Sequence, residues 1–256
     1  VDMVLRLVAG EFRETTNGLQ PVYYNIPRDR GYSTFRKIVL HLSTIQDRDV
    51  LFVEPLRFSL SWSFPKDSIT PEKLNELKKE FSVQLEPGGA SYRLAKKVTG
   101  RVFITNYDPE SLSNDERIRM NAWAESSPDD ALLVDIRRGY TGGDYPIQGE
   151  FRLRSFHNII DFLGRGIAEE REYDVPKDSR TPTVTENPIH TMEIVEHDSS
   201  PDNDGVSVSY NGYHYSIQPE QGHHWNSEAF VLLHQMFQMT MNELPKVGVP
   251  SLTIAK

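Results

Sequence analysis

The sequence predicts an α+β protein in which antiparallel sheets of hairpins are covered by amphipathic helices. Two observations carry the prediction. The first is Asn211-Gly212, placed between Val206–Tyr210 and Tyr213–Ile217, two runs that alternate apolar and polar residues. Such a pair supplies the positive φ that both central positions of a type I′ turn require, the strongest short-range hairpin signal. A two-residue loop sets Tyr210 opposite Tyr213, Val208 opposite Tyr215 and Val206 opposite Ile217. Those six residues then share one face, and Ser207, Ser209, His214 and Ser216 take the other. The second observation is that helical and strand-like patterns alternate without the steady β-α-β spacing of a parallel doubly wound sheet.

Each element has its own signal. Val1, Val4, Leu5 and Val8 share a helix face, so the chain opens in mid-pattern, as a helix with its beginning removed. This N-terminal fragment runs to about Glu11, and Thr15 to Gln20 reads as a polar connector. From Asp29, Tyr32, Phe35, Ile38, Val39, Leu42 and Ile45 recur at helical spacing as one stripe on a charged helix. Two strand-like runs follow, Val50–Val53 and Phe58–Phe64. Thr70-Pro71 opens a helix with Thr as cap and Pro at the tolerated first position. Leu74, Leu77 and Phe81 mark its buried face, and Pro87-Gly88-Gly89 ends it. Tyr92–Lys96 and Arg101–Asn106 read as strands, Asn114–Ala124 as a helix, Ala131–Arg137 and Ile147–Leu153 as strands. Ser155 caps a helix striped by Phe156, Ile159, Ile160, Leu163 and Ile167, whose last turns Gly164 and Gly166 weaken.

Residues 1–172 therefore form an N-terminal α+β region. Tyr173–Pro188, with prolines at 176, 182 and 188, reads as a linker. Residues 189–256 form a C-terminal unit that is also readable as continuous with the first region. It contains a strand at His190–Glu196, an acidic turn at Asp198–Gly205, the hairpin, a helix over Asn226–Asn242 capped by Asn226 or Ser227, and a last strand at Ser251–Ala255. On that helix Phe230, Leu233, Phe237 and Met241 make one line, widened by Leu232, Met236 and Met239, and the hairpin face is its expected partner.

Composition narrows the function classes. In 256 residues with 38% apolar content there is room for one large core or two modest ones. A net charge of −9 argues against a nucleic-acid partner, since neutralising phosphates needs a basic surface. Arg137-Arg138, Lys96-Lys97 and Lys78-Lys79 read as solvated faces. Without cysteine there is no disulfide, thiolate nucleophile or zinc–thiolate site. No apolar run approaches the ~18 residues of a membrane span.

The search for chemistry centres on residues after 190. Five of the eight histidines lie between 190 and 224, at 190, 197, 214, 223 and 224, and imidazole suits transition metals and acid–base work. Neither HxxxH nor HxH spacing occurs among them. The acidic turn offers oxygen ligands at Asp202 and Asp204 but lacks the glutamate that an EF-hand places six positions after its glycine, where Asn211 stands. The metal candidates are thus His214, His223, His224, Asp202 and Asp204. Gly139–Gly143 has neither a P-loop lysine nor a dinucleotide fingerprint, and there is no GxSxG, so no catalytic or cofactor-binding residue is assigned.

Three runs, beginning at Leu153 (LRSFHNIIDFLGRGI), Tyr210 (YNGYHYSIQ) and Trp225 (WNSEAFVLLHQMFQMT), resemble in that order the C-terminal half of certain bacterial proteins that begin as secreted or lipid-anchored envelope proteins. The resemblance covers mainly Arg152–Lys256 and rests on apolar framework, so no site residue transfers. It implies a bacterial cell-envelope or extracellular location and an N-terminal portion preceding residue 1. The leading functional expectation is a non-catalytic envelope scaffold or accessory subunit that binds other protein subunits, with self-association through the Met- and Phe-rich C-terminal helix. A second is a metal-dependent hydrolase using a divalent metal and the histidines and aspartates after 190. A third is a glycan-binding module, from Tyr140, Tyr145, Trp123 and Trp225 near polar loops.

Overall fold

The computed structural model describes residues 1–15, 20–168, 171–182, 184, 187–200, 206–217 and 224–243. In chain order these give α1 (Asp2–Val8), β1 (Ala9–Glu14), β2 (Val22–Tyr24), α2 (Tyr32–Gln46), β3 (Phe52–Pro65), α3 (Pro71–Leu77), β4 (Ser82–Leu85) and β5 (Ser91–Thr105). Then come α4 (Asn114–Ser126), β6 (Ala131–Ile136), β7 (Ile147–Leu153), α5 (Phe156–Ala168), β8 (Ile194–His197), β9 (Ser207–Tyr210), β10 (Tyr213–Ile217) and α6 (Trp225–Glu243). The expected α+β class with antiparallel sheets is what forms.

The main sheet has the order β2-β1-β7-β6-β5-β3, with β4 added along the first half of β5. Among the described strands only β5 and β6 run parallel, and α4 is the crossover between them. Alternation along the strands sends Ile104, Val134 and Phe151 to one face, where the whole predicted stripe of α2 from Tyr32 to Ile45 is buried. Phe103 and Leu133 go to the other face, under Met120 and Ala124 of α4. Helix α4 begins with a capping box, Ser113 Oγ accepting from Glu116 N while the Glu116 carboxylate accepts from Ser113 N. Thr70 caps α3 as expected, accepting from Lys73 N at 3.3 Å.

Several boundaries differ from the sequence reading, each for a physical reason. The two runs on either side of Pro55 join as β3, because a register shift between Pro55 and Arg57 lets the strand pass a residue without an amide proton. Facing it, Tyr92–Lys96 and Arg101–Asn106 join through Gly100, where a Cβ would stand 2.6 Å from Asn121 Oδ1. Pro87-Gly88-Gly89 does not stop a helix. It turns β4 into β5, with positive φ at both glycines. The opening helix forms as α1, but the chain after it is extended, and β1 pairs antiparallel with β2 through Glu11–Arg13 and Val22–Tyr24.

The stretch read as a linker packs along α2. Tyr32 Oη donates to Glu172, Arg36 Nη2 donates to Asn187 Oδ1, Lys37 pairs with Asp178 and His41 Nδ1 meets Arg180 O. Val175, Thr181 and Val184 are buried. On α1, Arg6 donates to the carbonyls of Pro188 and Ile189 at 2.9 Å each. At the centre, the Glu172 carboxylate faces Arg6 and Arg36 and accepts from the Thr191 N–H and hydroxyl. Burial alone would raise its pKa, but Arg6, the Thr191 N–H and Arg36 outweigh burial and hold it below the ordinary range. Asp2 looks toward the same arginines, but neither of its oxygens has a hydrogen-bond partner, and burial pushes its pKa up. Arg154, brought down to about 10 by burial, closes the end of α1 by donating to the carbonyls of Arg6 and Leu7.

Candidate functional site

The C-terminal residues form a second sheet, β8-β10-β9. Asn211 and Gly212 have φ of 50° and 83°, as a type I′ turn requires. The register is the one expected, with Tyr213 opposite Tyr210, Tyr215 opposite Val208, and Ile217 N donating to Val206 O at 3.1 Å. Among the described residues the unit has no core to itself. Met192 and Ala229 are buried together with Leu7 and Val8 of α1 and Ile159 and Leu163 of α5. Helix α6 therefore spends its inner face on α1 and α5 rather than on the hairpin. Asn226 does not cap it, since its Oδ1 accepts from Glu193 N, and the first helical bond runs from Glu228 N to His224 O.

Among the described residues the expected cover over the hairpin is accordingly incomplete. Ile194 at the base of the sheet packs into the shared core, but Val208 is 61% exposed and Tyr210 66%. Between the hairpin, α5 and α6 lies an apolar groove of about 290 Å³, walled by Val206, Val208 and Ile217 on one side and by Ile160, Phe230 and Leu233 on the other. The outer face of α6 adds Phe237, 41% exposed, and Met239, 66% exposed. Contiguous exposed apolar surface of this kind marks an interaction site more often than a scattered residue does.

Strand β9 is the outer strand beside the groove, and no described strand pairs with its open edge. In a hairpin with a two-residue loop, Tyr210, Val208 and Val206 exchange backbone hydrogen bonds with the partner strand, so the amides of Ser207 and Ser209 point to that edge. Edge strands are normally guarded by a charge, a proline or a bulge. Residues 206–210 contain none of these. The alternation was legible in the sequence; the missing guard and missing cover needed the strand order.

The metal candidates do not assemble. His214 Nδ1 meets Ser209 Oγ at 2.8 Å on the polar face, opposite His197, whose Nε2 meets Ser216 Oγ. His224 stands exposed at the start of α6. His223, Asp202 and Asp204 lie outside the described residues. Among the described residues no three His, Asp or Glu side chains come close enough to hold a metal ion. Of the aromatics proposed for glycan contact, Trp225 is buried, with Nε1 donating to Thr191 O and Arg6 over its ring. Tyr140 and Tyr145 are exposed, and Trp123 is half-buried at the edge of two hollows.

Among the described residues no helix is long and apolar enough to cross a membrane. Comparison with protein-family models, with curated proteins and with solved structures finds no match to this chain.

Proposed function

We propose that the chain is an assembly subunit that pairs with a second copy of itself along β9. The observation that carries this reading is the unguarded edge of β9 beside an apolar groove. Two β9 strands running antiparallel across a two-fold axis would extend each three-stranded sheet, and Val208 and Tyr210 of each copy would lie over the other's groove. The hairpin residues 206–217 carry no Lys, Arg, Asp or Glu, so pairing along β9 sets no like-charged side chains of these residues against each other. An accessory role in a larger structure follows from the same surface, because a paired sheet brings two α6 helices and their exposed methionines to one side.

Light scattering tests the reading directly. A mass of twice 29.4 kDa is expected at about 100 μM chain, and Ser209→Pro, which removes an edge amide without removing one bonded to β10, should return it to the monomer. Val208→Lys should do the same through the groove face. A monomer at every concentration would sink the proposal.

A further inference from the structure

A separate concave region lies on the α4 side of the main sheet. Helix α4 packs over β3 and β5, so β7 and β1 extend beyond it and leave a trough. Two hollows of about 270 Å³ each meet there, sharing Thr15 and Trp123. The first is bordered by Glu116 and Arg119 of α4, by Asp135 and Arg137 at the carboxyl end of β6, and by Gln148 of β7. The carboxyl ends of a parallel strand pair, beside its crossover helix, are where open sheets characteristically seat ligands.

We propose that this trough binds a neutral oligosaccharide, with Trp123 as the apolar surface between two sugar positions. Charge balance is the first argument. The first hollow sets two carboxylates against two guanidiniums, and the second sets Arg13 against Glu14 and Glu150, so charge nearly cancels along the wall, with one carboxylate in excess. A phosphate or a polyamine would gain little net Coulomb attraction from such a wall, whereas a polyol finds acceptors and donors side by side. Geometry is the second argument. Tyr107 Oη and Arg137 Nε both donate to the same Asp135 oxygen, Oδ2, at 2.7 and 2.8 Å, and no described residue donates to Oδ1. Asn106, itself buried, donates to Arg137 O and accepts from Arg137 N, which holds the strand end in place before any ligand arrives. The third is the aromatic residue. Trp123 lies against Phe103 in an edge arrangement with centroids 5.6 Å apart and borders both hollows, a position from which its indole meets the C–H face of a sugar ring.

Saturation-transfer NMR and calorimetry on the whole chain, with β-1,4-glucan, chitin and α-1,4-glucan tetrasaccharides as probes, decide the matter. Saturable binding of at least one probe is expected. Trp123→Ala should weaken it about tenfold or more and Gln148→Ala, at an exposed position, about threefold, with Tyr210→Ala, an exposed aromatic on the separate three-stranded sheet, unchanged. Because Trp123 also touches the α4 core, the Gln148 variant keeps the test valid should Trp123→Ala fail to fold. Absence of binding to all three probes, equal binding by the Gln148 variant, or competition by inorganic phosphate would overturn the proposal. Val208→Lys should leave sugar binding intact, so this site and the β9 contact fail or stand separately.

Discussion

Helices α2 and α6 carry the same kind of apolar stripe and meet different fates. In α2 every predicted stripe residue is buried, whereas α6 leaves Met239 and Met241 largely in solvent and Phe237 only partly covered, by Phe156 of α5. Periodicity does not distinguish them; cover does. Helix α2 is enclosed by the sheet on one side and by the described residues between 172 and 191 on the other, which are fastened by a hydrogen bond from Tyr32 and by ion pairs to Arg36 and Lys37. Helix α6 has α1 and α5 on one side, and no described element lies over the other. A stripe states which face prefers to leave water, not whether the chain supplies what it leaves water for.

The comparison breaks most clearly at its extremes. Phe35→Ala, which empties a site packed against Phe151, should cost about 3–5 kcal/mol in denaturant unfolding, while Met239→Ala, at a side chain 66% exposed, should cost under about 1. Equal losses would show that α6 is covered after all. Next in size, Glu172→Gln leaves Arg6 and Arg36 without their shared carboxylate and should cost about 3 kcal/mol at neutral pH. Its pH dependence has a definite sign. The folded pKa of Glu172 lies below the ordinary 4.5, so its stabilisation is present above that value and is lost as pH falls through the folded one. Acid unfolding should therefore shift to lower pH in the glutamine variant, relative to its own neutral stability.

Asp2, beside the same two arginines, responds to pH in the opposite sense. Its folded pKa is raised above 3.8, so the stability it contributes is present below that value and is lost as pH rises through the folded one. Asp2→Asn should gain about 1 kcal/mol at pH 7 and nothing near pH 3, read from paired denaturation curves. The smallest effect belongs to the outlying helix α3, where Thr70→Ala removes the cap bond to Lys73 N and should cost ~0.5–1 kcal/mol.

How far the fold could be read depended on the distance over which each decision was made. The type I′ turn, its register and the start of α3 are settled within a few residues, and these stood as expected. The β3–β5 pair was read in pieces because Pro55 and Gly100 interrupt the local pattern, while the ladder across the bulge is made by residues some 40 positions apart. Strand β4 and the turn at Pro87-Gly88-Gly89 were missed because a helix stop and a hairpin turn draw on the same glycines. Of the candidate sites, the groove residues were visible as an apolar face, but their exposure was not. The trough was visible only as Trp123, since Asp135, Arg137 and Gln148 carry no spacing signal of their own.

The sequence by itself determined the class of the fold, the stripe of α2, the hairpin at Asn211-Gly212 and its apolar face. Only the tertiary structure decided that α1 would turn Arg6 inward to meet Glu172, that the supposed linker would cover α2, and that α6 would be taken up by α1 and α5 before it could close over the hairpin. The reason is that a turn or a helical stripe follows from torsional preference and side-chain order over a few residues. Exclusion of water is a property of all the surfaces that meet, and in this chain those surfaces are brought together from more than 150 residues apart.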